Sequence, residues 1–296
     1  MAIRRAVILG LFTLLSVGAY RLWKLVRPTP SPHFDRSDQS FWSGVATTFP
    51  SLKGAESTAY YFDCERALFE LYLPDLAGRS LLKTDLWDEA KNTEILRWAA
   101  EQGARPIGVD IALDTVRAAR GVLAGHQGGC VAGDVRALPF GASTFDAIYS
   151  MGTIEHSPEY ERAAWELARV LKPGGVAIIG VPNKLDPFLR PLLVHMLNHA
   201  GLYAYGFEKS FTPRHLRRLL EGVGFRVTAQ TGILFLPGWL RMADLWCHTR
   251  APRLTGLTGA LVRPFAWLYR TVPSVRRHGY LTVCIVTKVT EPLAKR

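Results

Sequence analysis

Three aspartates carry the first chemical signal. Asp85 closes the apolar run SLLKTD, Asp110 closes RPIGVD, and Asp134 follows the short run GCVA within AGDVRALPF. If those runs are strands of one open parallel sheet, the carboxylates gather outside its carboxyl edge, where such sheets bind ligands. Asp110 is then placed to accept both hydroxyls of a ribose. Asp134 is placed to accept from an exocyclic amine, with the backbone N–H of Val135 facing a ring nitrogen. Taken singly, each aspartate reads as a turn or cap residue. At three successive strand ends they point to an adenosine ligand. Further along, TIEH puts Glu155 and His156 just after a fourth apolar run. His156 is the best-placed general base, against the alternative of a histidine that only holds its loop. No third ligand accompanies Glu155 and His156, so no metal site is expected.

The elements that must position these residues follow from periodicity and punctuation. Strands are expected at Ser80–Asp85, Arg105–Asp110, Gly129–Ala132, Thr144–Ser150, Gly175–Val181, Phe225–Gln230 and Tyr280–Lys288. Helices are expected over Thr93–Gln102, with Thr93 as cap, over Leu113–Ala124, and over Pro213–Glu221. Another begins at Pro158 behind Ser157, buries Ala164, Leu167, Ala168 and Leu171, and stops at KPGG. Short strands alternating with such helices make βαβ units, hence a mostly parallel sheet covered on both faces. The last two strands have no clear helix between them, so that pair is free to be antiparallel. Residues 28–58, rich in Pro, Ser and Thr, read as linker and loop, and 59–77 as one helix interrupted at Pro74.

These stretches resemble a known family. GVDIALDTVRAAR, GDVRALPFGASTFDAIYSMGTIEH, ELARVLKPGGVAIIGVPN and FTPRHLRRLLEGVGFRV look like the class I S-adenosylmethionine-dependent methyltransferases. The resemblance implies an α/β, Rossmann-like seven-stranded sheet, mostly parallel, with the last strand antiparallel between the fifth and sixth. It implies S-adenosyl-L-methionine as cofactor, with Asp110 at the ribose, Asp134 and Val135 at the adenine, and Ile111 among the cofactor-binding residues. Ser150, Met151 and Gly152 would line the pocket. One feature departs from the family pattern D-x-G-x-G-x-G. The first strand runs into LLKTDLWDEAKNTEIL, with no glycine between Gly78 and Gly103. Side chains there are expected to obstruct close approach of the backbone to the cofactor. Either the loop is rebuilt, with Asp85 pairing to the cofactor's ammonium, or the site has lapsed.

Composition and charge bound the rest. With 48% apolar and 21% charged residues the chain is an ordinary globular one, which excludes disorder, collagen and coiled coil as its main state. Its four cysteines show no metal-binding spacing and fit a reducing compartment. The net charge of +11 is confined to two segments. Residues 1–30 hold five bases and no acid, and residues 231–278 hold seven arginines against Asp244, leaving the remainder neutral.

Residues 6–20 are uncharged, and the run extended to Val26 reaches about 31 Å as a helix, enough to span a bilayer. An uncleaved membrane anchor at 1–30 is expected, against a signal peptide or a buried terminal helix. The segments then read as anchor (1–30), linker and N-terminal extension (31–79), methyltransferase-like core (80–230), basic aromatic insert (231–278), and last strand with tail (279–296). The insert reads as a lipid contact, a nucleic-acid contact or an extra helical layer. Nucleic acid is disfavoured because Ser150-Met151-Gly152-Thr153 stands where base-amino methyltransferases carry NPPY. The expected function is methyl transfer to a small lipophilic or membrane-presented acceptor by a membrane-associated enzyme whose catalytic domain faces the cytoplasm. The alternative is a non-catalytic scaffold of the same fold.

Overall fold

A computed structural model describes residues 39–201 and 203–289; the expected anchor at 1–30 lies outside them. Seven strands form one sheet: β1 (Ser80–Thr84), β2 (Arg105–Asp110), β3 (Gly129–Ala132), β4 (Phe145–Met151), β5 (Leu171–Pro182), β6 (Phe225–Ile233) and β7 (Leu281–Lys288). Their order is β3-β2-β1-β4-β5-β7-β6. β1 to β5 pair in parallel, while β7 is antiparallel to both β5 and β6. The expected Rossmann-like sheet with an antiparallel last strand is present. The chain moves outward from β1 to β3 and then returns to β4 on the other side of β1. That reversal opens a crevice at the carboxyl ends of β1 and β4.

The central strands β1, β4 and β7 are buried on both faces, and the side chains of the sheet alternate between two cores with the two-residue period of a strand. Leu81, Ala147, Tyr149, Ile178, Val283 and Ile285 point into one core. There they meet helices α2 (Glu56–Tyr72), α4 (Ile95–Glu101), α5 (Leu113–Val122), α9 (Gly238–Arg250) and α10 (Thr255–Thr271). Their neighbours Leu82, Ile148, Ala177, Ile179, Cys284 and Val286 point into the other, against α6 (Tyr160–Val170) and α8 (Pro213–Gly222). Three further helices, α1 (Gln39–Thr48), α3 (Trp87–Lys91) and α7 (Arg190–His199), surround the crevice end.

Several expected elements differ. Residues 28–58, read as loop, contain α1 and the start of α2, and α2 ends ahead of Pro74. α4 does not start behind a Thr93 cap: Glu94 takes the left-handed conformation at φ 59° and the helix begins at Ile95. Ser157 does not start a helix at Pro158. A 3-10 turn, Ile154–His156, comes first, the Ser157 hydroxyl accepts from the Glu159 N–H at 3.0 Å, and α6 begins at Tyr160.

The connection between β6 and β7 holds two helices, the helical layer that was one of the readings of the insert, and it is knitted into the body. Asp244 on α9 accepts from the Ser57 N–H and the Thr258 hydroxyl, each at 2.8 Å, with its side chain buried. Arg263 and Arg270 of α10 pair with Glu56 and Asp63 of α2. The insert is therefore a helical layer on the sheet. No helix among the described residues is long and apolar enough to cross a membrane.

Candidate active site

β1 delivers Thr84 and Asp85 to the crevice. The Thr84 hydroxyl donates to the Ser150 hydroxyl at 2.8 Å and lies 3.0 Å from that of Thr153, which ties β1 to the loop after β4. Asp85 adopts φ 69°, the left-handed region in which a glycine is ordinarily found. Two contacts hold it there. The buried Lys83 ammonium donates to its carbonyl at 2.5 Å, and its own carboxylate accepts from the Trp87 N–H at 2.7 Å.

The loop does not fill the crevice, because it turns its bulk inward. Leu86 is fully buried against Gly108, where an added Cβ would lie 2.2 Å from a Leu86 methyl. Lys83 is sequestered under the loop between Glu89 at 3.0 Å and Asp88 at 3.3 Å. Burial works to deprotonate Lys83, but the carboxylates of Glu89, Asp88 and Asp85 outweigh it and hold the ammonium above its usual range.

A cavity of about 280 Å³ opens at the carboxyl ends of the first four strands. Asp85, Asp110, Ile111, Asp134, Val135, Met151 and Gly152 all line it. Ser150 does not: it is buried beneath the floor, bonded to Thr84. Asp110 accepts from the Leu86 N–H at 2.8 Å and the Ala112 N–H at 2.7 Å, which leaves each oxygen a further lone pair. Burial pushes its carboxyl up despite those donors. Asp85 is pushed up by burial too, and the neighbouring Asp88 and Asp110 add to the shift.

Asp134 is not the open acceptor that its position suggested. The Arg136 guanidinium chelates it, with Nε 3.0 and 2.9 Å from the two oxygens. Burial opposes ionisation of Asp134, but Arg136 prevails and holds the carboxyl below its usual range.

The opposite wall was largely invisible in the sequence. His156 Nδ1 lies 2.9 Å from the Phe207 carbonyl oxygen. A carbonyl only accepts, so Nδ1 carries the proton and Nε2 keeps a free lone pair. Burial lowers the His156 pKa and favours that neutral form. Glu155 lines the cavity with its Oε2 lacking a hydrogen-bond partner among the described residues; burial, and after it the Glu208 carboxylate, push its carboxyl well up. Beyond them Arg190 and Glu208 form a buried pair at 2.5 and 2.8 Å, and the Arg190 guanidinium sits 4.2 Å from the Tyr280 ring centre. Trp42, from the supposed linker, meets His156 edge to face at 5.0 Å. Trp87, Tyr205, Met242 and Leu245 complete an apolar, aromatic side.

The residues present fit S-adenosyl-L-methionine. The strand-end half of the cavity is lined by the carboxyls of Asp85, Asp88 and Asp110, and burial holds those of Asp85 and Asp110 towards their neutral form. A ligand bearing an ammonium and a sulfonium would favour their ionised form. The orphaned Glu155 oxygen on the facing wall adds to the same preference. Among the described residues no group of three or more potential ligands is arranged to hold a metal ion.

Known proteins share this fold. Residues 91–179 match the family described as Methyltransferase domain. The chain is 30% identical over 167 residues to demethylmenaquinone methyltransferase of Roseiflexus castenholzii, covering 56% of this chain and 68% of that protein. It is 28% identical over 158 residues to ubiquinone biosynthesis O-methyltransferase of Sinorhizobium fredii, covering 50% and 60%. An S-adenosylmethionine-dependent methyltransferase structure from Mesorhizobium loti superposes with a TM-score of 0.51 at 16% identity, over 80% of this chain and all of that one, a likeness of fold alone. A relative of that identity and coverage, on a sheet of this order, establishes that the chain belongs to the class I S-adenosylmethionine-dependent methyltransferases.

Proposed function

We propose that this enzyme methylates an oxygen of a lipophilic, quinol-like small molecule presented at a membrane. The observation that carries the reading is that one cavity is lined both by the strand-end carboxyls and by an aromatic cluster, with His156 in its lining and its ring against Trp42. The strand-end half, with Asp85 and Asp110, holds the cofactor; when bound there, S-adenosyl-L-methionine supplies a methyl group already activated on a sulfonium. The half formed by Trp42, Trp87, Tyr205, Met242 and Leu245 suits a flat apolar ring.

The protein's own work is then alignment, exclusion of water and removal of one proton. Stacking and packing on the aromatic wall orient the acceptor hydroxyl. His156 Nε2 takes the hydroxyl proton while Nδ1–H stays on the Phe207 carbonyl, which fixes the ring's tautomer and direction. The relatives named for menaquinone and ubiquinone act on lipophilic rings, and that supports the acceptor class. The uncharged run at 6–20 supports membrane presentation.

Isothermal titration with S-adenosyl-L-methionine, followed by transfer of labelled methyl to short-chain naphthoquinols and benzoquinols, tests this. Cofactor binding with transfer to at least one quinol is expected. Binding without transfer to any quinol would overturn the acceptor class, and no binding at all would overturn the whole reading.

A further inference from the structure

We propose that α7 and α10 together form a docking face for an anionic lipid bilayer. The proposal rests on the membrane-presented acceptor argued above and specifies which surface of the protein meets the lipid. The first observation is a stripe on and just before α7. Leu192 and Met196 are exposed on α7 four residues apart, which puts them on one side of the helix, and Leu185 and Leu189 are exposed in the turn that leads into it. The second is a matching stripe at the start of α10, where Leu257 and Leu261 on the helix and Leu254 just before it are exposed at spacings of three and four. Exposed leucines scattered singly need no explanation, but two aligned stripes do. The stripes meet: the Phe188 ring packs on Phe265 of α10 at 5.8 Å between centroids and on Phe235 at 5.0 Å.

Charge decides the occupant. Between residues 183 and 201 the one carboxylate is Asp186, and between 238 and 278 it is Asp244; both are buried. These segments therefore expose no acid of their own, and the partly exposed Glu56 and Asp63 of α2 beside α10 are paired to Arg263 and Arg270, whereas Arg250, Arg253 and Arg277 stand exposed on the same segments. Apolar stripes bordered by bases and free of carboxylates match the anionic headgroup layer of a bilayer and the acyl boundary beneath it. The face also adjoins the site, since Arg190, the first residue of α7, lines the cavity with its buried guanidinium.

The test uses the full chain and vesicles of phosphatidylcholine and phosphatidylglycerol at about 7:3, a mixture that carries the surface charge the arginines need. All four native cysteines are buried, so a nitroxide can be placed selectively on L192C, on L257C or on W165C. Trp165 is also exposed but lies on α6, on the opposite side of the sheet, and serves as the control. Power-saturation measurements compare access of oxygen and of a nickel chelate to each label.

On vesicles the oxygen-to-nickel ratio should rise several-fold at L192C and L257C and stay unchanged at W165C. A chain that sediments with vesicles while both labels stay open to nickel would overturn this face and leave the membrane-presented acceptor standing. A chain that does not bind vesicles would overturn both, without touching methyl transfer. Labels already shielded before vesicles are added would mean that protein covers the face, which also overturns the proposal.

Discussion

The Lys83 ammonium lies 3.0 Å from the Glu89 carboxylate, and both side chains are sealed from solvent at 1% and 0% exposure. This pair stands under a loop that in related folds is built from glycines. It secures the unusual backbone of Asp85 and keeps the loop's bulk out of the cavity.

Removing that cation is expected to be severe. Lys83→Met leaves Glu89 and Asp88 buried without their partner, and breaking such a pair costs about 3–5 kcal/mol. Urea denaturation should show the loss as a lowered midpoint. Glu89→Gln made in the same background should recover part of it, because the stranded charge is then gone. Equal stability of Lys83→Met and the parent would mean that the pair does not hold the loop.

Asp110 has two tasks. Its carboxylate accepts from Leu86 and Ala112 N–H groups, and it faces the cavity where the cofactor ribose is expected. Asp110→Ala should weaken S-adenosyl-L-methionine binding by about 1.5–3 kcal/mol, the scale of a hydrogen bond to a charged group. Titration calorimetry measures it, and an unchanged dissociation constant would remove Asp110 from the cofactor site.

His156 sets a pH dependence whose sign is definite. Burial lowers its pKa, so the neutral base persists below the ordinary value of about 6.5, and the acid limb of the rate profile should lie beneath it. Stability moves with it: as pH falls through about 6.5 the unfolded chain takes up a proton that the folded ring refuses, and stability drops. His156→Gln should cut turnover by roughly 10²–10⁴-fold while leaving cofactor affinity intact, and it should abolish that limb. A limb that survives in His156→Gln would assign the proton to another group.

The thiols report on the fold. Burial pushes Cys64 up to about 12 and Cys130 and Cys284 up to about 11, and Cys247 is raised by burial as well. None of the four should react with an aromatic disulfide reagent at pH 8 until the protein unfolds, because the thiolate is the reactive species. Rapid labelling of any one in the native protein would show that its segment opens locally.

Sequence alone determined the sheet and its ligand edge. Apolar runs of strand length, separated by helices and ended by Asp85, Asp110 and Gly133-Asp134, are local patterns, and local patterns specify element type. Short apolar runs set between turn residues stand out in a sequence, which is why β2 and β3 were legible to the residue. The second wall of the cavity was not legible, because its members come from distant parts of the chain. Trp42, Arg190, Glu208 and Tyr280 are spread over some 240 residues and converge only when β7 inserts between β5 and β6 and α7 closes over the strand ends. The glycine-free loop stayed open between a rebuilt and a lapsed site for a related reason. An obstructing side chain is inferred from sequence as bulk, but where the bulk goes is a matter of packing. Leu86 finds room at Gly108 and Lys83 finds charge at Glu89, and neither contact has a signature within the loop itself.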